Sequence, residues 1–350
     1  MPSLLRHALN SALLGLSIMS AAAGAAAPFE PADGRTLLIV GQEKHEIARY
    51  WKEVGPAGGY MLYSSLATLS GLDGPIKGSG CSDSGTMDFQ DWAENYPDTV
   101  AQVGLYMVSS LTDAATGELD HVIADMGEIL RKSGKPVFLR IGYEFDGPWN
   151  RYHPDLYKMA WKRIADILHG RQVGDVSIPP VTNVALVWHS GAYDTYMSRP
   201  IADWYPGDEY VDWVAVSWFQ WGSDDNEEAA AEAREKVASF AKAHGKPLMI
   251  AESAPKQYFE ADSPKAWSGW HKRVLDWIAA KNVKAYSYIN QDWTAMPQWQ
   301  AACGNGADWG NTRVQKPGST MLEAWRKEMG GPRWLLQGPE LFKAIGFDPH

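Results

Sequence analysis

The sequence has few cysteines, no excess of positive charge and, beyond its N-terminus, no long apolar run. Only two of its 350 residues are cysteine, so at most one disulfide can form. Acidic residues outnumber basic ones by 42 to 32, and the resulting net charge of −10 disfavours a polyanionic partner such as nucleic acid. No later segment reaches the roughly 20 apolar residues of a membrane span. We therefore expect a globular protein with no nucleic-acid partner and no membrane span.

Motifs of several common enzyme classes are also missing. There is no G-x-S-x-G elbow for a serine hydrolase. The pair His45-Glu46 lacks the second His of a zinc-binding helix, and the nine His residues do not cluster. The first apolar run is followed by Gly41-Gln42-Glu43, which is not a phosphate-binding glycine turn. We expect no metal and no cofactor.

The aromatic residues, in contrast, are abundant and unevenly distributed among types. The chain has 17 Trp and 15 Tyr but only 9 Phe. Trp and Tyr combine a flat apolar face with a polar group, which suits surfaces that are partly exposed to solvent. Sugar rings present apolar C–H faces, so this composition favours a carbohydrate-binding cleft, although many of these rings will be ordinary core.

The N-terminus has the pattern of a secretory signal peptide. Arg6 and His7 precede a mostly apolar stretch, Ala8–Ser20, and the small-residue segment Ala21–Ala27 offers A-x-A-like cleavage sites. We predict a signal peptide over residues 1–27 and one catalytic domain over residues 28–350, secreted or periplasmic and monomeric. In an oxidising compartment Cys81 and Cys303 are expected to form a disulfide.

Eight short apolar runs alternate with helical patterns along the chain. Most of the runs are continuous in Val, Ile, Leu, Met and aromatics, as expected for parallel strands that are buried on both faces. The runs are Thr36–Val40, Tyr60–Tyr63, Val103–Val108, Val137–Ile141, Val184–Trp188, Trp213–Trp218, Leu248–Ala251 and Lys284–Ile289.

Amphipathic helices are predicted between these runs. They are Glu118–Lys132, Pro154–Leu168, Asn226–Ala243, Pro264–Ala280 and Ser319–Met329, with a weaker pattern near Thr195–Asp203. Eight strand–helix alternations indicate a single (β/α)8 TIM barrel. A doubly wound sheet is the alternative, but the expected glycine-rich turn is absent.

Two of the predicted strands run directly into a glutamate. The fourth leads to Glu144 and the seventh to Glu252. Active sites of such barrels lie at the carboxyl ends of the strands, so these two carboxylates are expected to face each other there. One protonated and one ionised carboxyl group are what glycosidic bond cleavage requires. The sequence therefore predicts a glycosidase. It does not give the distance between the carboxyl groups of Glu144 and Glu252.

The segments around both glutamates resemble a known family. The layout is similar to the clan of retaining (β/α)8 glycoside hydrolases, and Glu144–Trp149 resembles the acid/base segment of family 26, the β-mannanase-type enzymes. The segment Trp204–Asp212 resembles the family's lead-in to strand six, and Lys246–Glu252 its nucleophile strand. The resemblance implies that Glu144 is the acid/base, that Glu252 is the nucleophile, and that a mannan-type β-linked polysaccharide or oligosaccharide is the substrate.

Further residues are candidates for substrate contacts. Tyr143 stands where family 26 has His, and Trp293 stands where the clan commonly keeps a Trp under the sugar. The clan also has a Tyr at the end of strand six that holds the nucleophile, where this chain offers Trp218, Phe219 and Gln220. The candidate substrate-binding residues are Arg140, Tyr143, Trp149, His189, Trp218, Gln220 and Trp293.

Two of these candidates have a more specific expected role. Strand alternation puts Arg140, Gly142 and Glu144 on one side, so Arg140 is expected to pair with a catalytic carboxylate or to form a structural ion pair. His189, at the end of strand five, is expected to bind a sugar hydroxyl or Glu144.

Two other functions remain open from the sequence. A carbohydrate-binding barrel without activity would keep the Trp-rich cleft but would not need paired carboxylates. A polysaccharide lyase or transglycosylase could use the same scaffold, and Tyr143 or His189 would then be the candidate base of a lyase.

Overall fold

The computed structural model describes residues 26–76, 85–192, 199–219, 227–256, 267–296, 309–316 and 319–348. Eight parallel strands form a closed barrel, because β1 pairs with both β2 and β8. The strands are β1 Thr36–Gly41, β2 Gly59–Ser65, β3 Val100–Tyr106, β4 Val137–Ile141, β5 Val184–Ser190, β6 Trp213–Trp218, β7 Leu248–Ser253 and β8 Ala285–Ile289. The predicted (β/α)8 TIM barrel is confirmed.

Helices lie outside the strands. They are α1 Lys44–Glu53, α2 Phe89–Asn95, α3 Leu111–Thr116, α4 Asp120–Lys132, α5 Pro154–Leu168, α6 Glu227–Ala243, α7 Lys272–Lys281, α8 Thr320–Met329 and α9 Leu341–Ala344. Helix α5 begins at Pro154, whose fixed φ suits a first helical turn, and the Ser319 side chain caps α8 by accepting a bond from the Leu322 N–H.

The structure contains helices beyond the predicted ones and differs from the prediction in the fifth unit and before α7. The helix predicted from Glu118 is observed as α4, which begins at Asp120, whereas the helices α1, α2, α3 and α9 were not predicted. The fifth unit has a single 3-10 turn, Ile201–Trp204, in the part that is described, and α7 is preceded by a π-helical turn, Trp267–His271. Within the described ranges, no helix combines the length and apolarity needed to cross a bilayer.

Strand alternation divides the core into two layers. The outward residues of each strand, such as Leu38 and Val40, pack with the helices. The inward residues fill the barrel, and at its amino-terminal end they are large and apolar, for example Phe138 and Trp213. Phe29 packs on Phe138 and closes that end.

The chain after α8 also covers the amino-terminal end of the barrel. A two-residue strand, β9 Trp334–Leu335, pairs with the start of β1, and Phe347 packs against Phe29. With this end closed, the carboxyl ends of the strands form the open mouth.

Candidate active site

Most strands have a polar residue at an inward position near the open mouth, in contrast to the apolar residues below. We call this set the upper layer, and its members are Tyr63, Gln102, Arg140, His189, Ser217, Glu252 and Ser287. All of them are buried, and hydrogen bonds join them across the barrel. Buried polar groups are costly unless they are paired, so a connected polar layer at the mouth is typical of a functional site.

Glu144 lies in a tight turn directly after β4. Its backbone φ is +51°, and the preceding Gly142 has φ +53°. Such a conformation costs about 1–3 kcal/mol for a residue with a side chain, and it persists only where neighbours impose it. The Asn150 amide does so by donating to the carbonyl oxygens of Tyr143 and Glu144, at 3.0 and 2.8 Å.

Asp146 fixes the same turn to the end of β5. Its buried carboxylate accepts hydrogen bonds from the Ser190 hydroxyl and from the Gly191 N–H, the latter at 2.6 Å. The turn that carries Glu144 is therefore tied to the neighbouring strand by a side chain of its own.

The Glu144 carboxyl group is almost fully buried, with 7% of the residue exposed. The Ser217 hydroxyl donates to Oε1 at 2.6 Å, and the Trp149 indole N–H donates to Oε2 at 3.1 Å. Burial raises the pKa of Glu144 to about 8, and the nearby Glu252 carboxylate contributes to this increase. At neutral pH this side chain is mainly protonated, as a general acid must be.

Glu252 has a different environment at the end of β7. The Arg140 guanidinium forms an ion pair with Oε1, and the Tyr63 hydroxyl donates to the same oxygen at 2.8 Å. Both donors stabilise negative charge on the carboxylate. Gly104 leaves the space for them, because a Cβ at that position would come within 2.6 Å of the Tyr63 ring and 2.8 Å of Arg140 Nη2.

A register shift in β7 brings Glu252 into the barrel. The pairing of β6 with β7 passes from Val216–Ile250 to Ser217–Glu252 and so skips Ala251. The carbonyl oxygen of Ala251 accepts a hydrogen bond at 2.8 Å from the Gln102 side chain across the barrel. Irregularities of this kind re-aim side chains beside active sites.

The two glutamates meet at one residue of β6. Ser217 pairs in register with Glu252, and its hydroxyl bonds to Glu144. Neighbouring strands lie about 4.8 Å apart, so this shared contact holds both carboxyl groups at one mouth. The arrangement combines a carboxyl group with a raised pKa and a second one paired with a cation. These are the two states that acid-assisted cleavage of a glycosidic bond uses.

The remaining predicted substrate contacts occupy different environments. Tyr143 is partly exposed, and its ring lies 5.4 Å from that of Tyr63. Trp149 is 47% exposed beside Glu144, which leaves its ring accessible at the mouth. Trp293 is nearly buried, and its ring packs 5.0 Å from that of Trp309.

Two predicted substrate contacts do not reach the open mouth. Trp218 is on the outward side of β6, where it packs against Trp277 and Arg234, so its position does not match the expected sugar contact. His189 is fully buried and contacts Arg140 and Ser217 instead of a solvent-accessible surface. Gln220, Cys81 and Cys303 lie outside the described residues, as does the predicted signal region up to residue 25.

Four residues of the upper layer, Tyr63, Gln102, Ser217 and Ser287, were not anticipated from the sequence. Tyr63 and Ser217 contact the two glutamates directly, and Gln102 supports the β7 irregularity. The available signal was a polar side chain at an inward position of an otherwise apolar strand. Among the residues that the structure describes, no three His, Cys, Asp or Glu side chains are grouped to hold a metal ion.

Comparison with known proteins agrees with this geometry. The model of glycosyl hydrolase family 26 matches residues 86–296, more than half of the chain. A β-1,3-xylanase, TXYA, of Vibrio sp is 28% identical over 90% of this chain and 69% of its own length. A β-1,3-xylanase of Alcaligenes sp is 27% identical over 89% of this chain and 67% of its own.

A solved structure shares the fold. The modular endo-β-1,4-mannanase of Cellulomonas fimi superposes with a TM-score of 0.57 at 17% identity, over 87% of this chain and 73% of that one. At this identity the likeness concerns the fold alone. Together with the family match, these findings show that the chain belongs to glycosyl hydrolase family 26 and is a glycosidase that acts on a β-linked polysaccharide.

Proposed function

We propose that this glycosidase works by retaining double displacement, with Glu252 as the nucleophile and Glu144 as the acid/base. The observation that carries the proposal is the contrast between the two carboxyl environments. Glu144 is buried with a pKa raised to about 8, whereas Glu252 is paired with Arg140 and Tyr63. The shared neighbour Ser217 also supports a short separation, and retention goes with about 5–5.5 Å between the carboxyl groups.

Each step then has a residue to perform it. Glu252 attacks the anomeric carbon as the bond to the leaving oxygen breaks, and Glu144 gives its proton to that oxygen. This forms a covalent glycosyl-enzyme and leaves Glu144 ionised. Glu144 then takes a proton from water, the water oxygen bonds to the anomeric carbon, and Glu252 is released as a carboxylate.

We further propose a β-1,3-linked xylan as the substrate class. This is supported by the two β-1,3-xylanases, each of which aligns with about nine tenths of the chain. A mannan-type substrate is the second candidate, because the Glu144–Trp149 segment resembles that of the β-mannanase-type enzymes. Tyr143, which stands where the β-mannanase-type pattern has His, counts against this second candidate. The export expected from residues 1–27 is consistent with a polysaccharide substrate outside the cell membrane, and we propose a secreted or periplasmic monomer.

Azide rescue tests the assigned roles. In Glu252→Ala, azide should replace the missing nucleophile and give an α-glycosyl azide from an activated β-glycoside. In Glu144→Ala, azide should attack the glycosyl-enzyme and give a β-glycosyl azide. The opposite pattern, or rescue of neither variant, would overturn the assignment. A non-catalytic barrel would show no turnover in the unmodified protein.

A digestion panel tests the substrate class. β-1,3-Xylan, β-1,4-xylan and β-mannan are incubated with the protein, and products are identified by mass. Preferential release of β-1,3-linked xylo-oligosaccharides is expected, whereas release of manno-oligosaccharides alone would select the second candidate. An unsaturated product that absorbs in the ultraviolet would indicate a lyase instead.

A further inference from the structure

The two catalytic candidates are connected by a continuous chain of buried side chains. Arg140 Nη1 contacts Glu252 Oε1 and also lies 3.3 Å from His189 Nδ1. His189 Nε2 lies 3.0 Å from Ser217 Oγ, which in turn lies 2.6 Å from Glu144 Oε1. We refer to Arg140, His189 and Ser217 as the connecting chain. His189 and Ser217 have no role in the two-step reaction described above, although they occupy the centre of the barrel.

The direction of every hydrogen bond in the connecting chain follows from Arg140. A guanidinium has only donors, so His189 Nδ1 must accept from it. Burial, and after it the charge of Arg140, holds the pKa of His189 well below its usual range, and the imidazole is neutral. A neutral imidazole that accepts at Nδ1 carries its hydrogen on Nε2, which therefore donates to Ser217 Oγ.

Ser217 transmits this direction to the acid. Its hydroxyl has a single hydrogen, and its oxygen already accepts from His189. The one acceptor within reach of this hydrogen among the described residues is Glu144 Oε1. If Ser217 instead accepted from a protonated Oε1 as well, its own buried hydrogen would have no partner, so the hydrogen is directed to Glu144 Oε1. The reverse arrangement would need a hydrogen on His189 Nδ1, which would then face an Arg140 N–H.

We propose that Arg140, His189 and Ser217 hold Glu144 Oε1 as a hydrogen-bond acceptor, so that the transferable proton of the acid resides on Oε2. This inference rests on the proposed role of Glu144. A protonated Oε2 keeps a lone pair, which accepts the hydrogen bond from the indole N–H of the half-exposed Trp149 at 3.1 Å. The proton is thus kept on the oxygen that can meet a sugar, and His189 and Ser217 are positioning residues.

The most direct test is the tautomer of His189 in the intact protein. Nitrogen-15 NMR of protein labelled at histidine distinguishes the Nε2–H tautomer, the Nδ1–H tautomer and the imidazolium, and His189→Gln identifies the signal. We expect the Nε2–H form throughout pH 5–8, with the exposed His121 as an internal reference. An Nδ1–H tautomer or an imidazolium at His189 would overturn the proposal. This readout does not depend on activity, whereas failed azide rescue of Glu144→Ala would count against the role of Glu144 itself.

A kinetic test uses Ser217→Ala. The substitution removes only the Ser217 hydrogen bond, which lowers the pKa of Glu144. The pKa of Glu144 also depends on the charges of Glu252, Asp146 and Arg140, which remain in place. The alkaline limb of kcat/KM should move up by about 0.5 to 1 pH unit. Turnover of polysaccharide should fall about tenfold, with a smaller loss for an aryl glycoside whose leaving group needs no proton.

The matched control is Ser217→Thr, which retains the hydroxyl group. It should restore the original pH profile and part of the lost turnover. Equal losses on both substrates with an unmoved alkaline limb in Ser217→Ala would indicate a purely structural role and overturn the proposal.

Discussion

Replacing Glu144 by Gln should stabilise the folded protein at alkaline pH while abolishing its acid catalysis. The wild-type carboxyl group has a pKa of about 8 when folded, against an ordinary value of 4.5. A raised folded-state pKa means that the folded protein holds this proton more tightly than the unfolded chain does. The associated stability is fully present below about pH 4.5 and is lost as the pH rises through about 8. Glutamine stays neutral and avoids this loss.

The size of the effect can be bounded from the site. Each pKa unit between the folded and unfolded values corresponds to about 1.4 kcal/mol, which sets a ceiling of about 5 kcal/mol at pH 9. The Ser217 hydroxyl still has an amide oxygen to bond, but the amide NH2 then faces the Trp149 N–H, and this costs about 1–2 kcal/mol at any pH. The expected net gain for Glu144→Gln is about 3 kcal/mol at pH 9, with no gain or a small loss at pH 5.

Denaturant unfolding followed by Trp fluorescence at pH 5 and pH 9 measures this difference. The exposed Glu53 provides the matched control, since Glu53→Gln removes a charge that is not buried. Glu53→Gln should change the free energy of unfolding by well under 1 kcal/mol at both pH values. If Glu144→Gln has the same effect at pH 5 and pH 9, the carboxyl group does not carry a raised pKa and the reasoning fails.

Three further predictions concern the same mouth. Tyr63→Phe removes one donor to Glu252 and should lower kcat about 10- to 100-fold with nearly unchanged KM, which steady-state kinetics would check; an unchanged kcat would contradict this. Gly104→Ala places a Cβ within 2.8 Å of Arg140 Nη2 and should lower both kcat and the melting temperature; wild-type values for both would show that the space is not needed. In the wild type, kcat/KM should fall above about pH 8 as the acid loses its proton, and a constant value up to pH 10 would refute that assignment.

The barrel was predictable because it depends on burial patterns that each segment displays alone. Strands buried on both faces require continuous apolar runs, and all eight predicted runs overlap observed strands. The boundaries of Val137–Ile141 and Trp213–Trp218 agree fully, since turns and charged residues flank them. Of the segment predicted as a weak helix near residue 195, the described part contains one 3-10 turn, Ile201–Trp204.

The positions of the two glutamates at the mouth could also be predicted from the sequence, because each directly follows an apolar run. Arg140 and His189 were candidates as well, but the other members of the upper layer were not, because their contacts join residues that are distant along the chain. Tyr63 and Glu252 are 189 positions apart, and Gln102 reaches a carbonyl that is exposed only by the register shift at Ala251. Trp218 was predicted to contact the sugar because it lies at the end of β6. Ser217 points into the barrel, however, so the next residue, Trp218, points outward.

The stereochemistry of the first-formed product tests the central claim most directly, since retention requires both glutamates to act at one mouth. Proton NMR during early hydrolysis of a xylo- or manno-oligosaccharide substrate identifies the anomer released before mutarotation. The β-anomer is predicted to appear first, with the α-anomer growing in later. Initial release of the α-anomer would mean inversion and would contradict a covalent intermediate on Glu252.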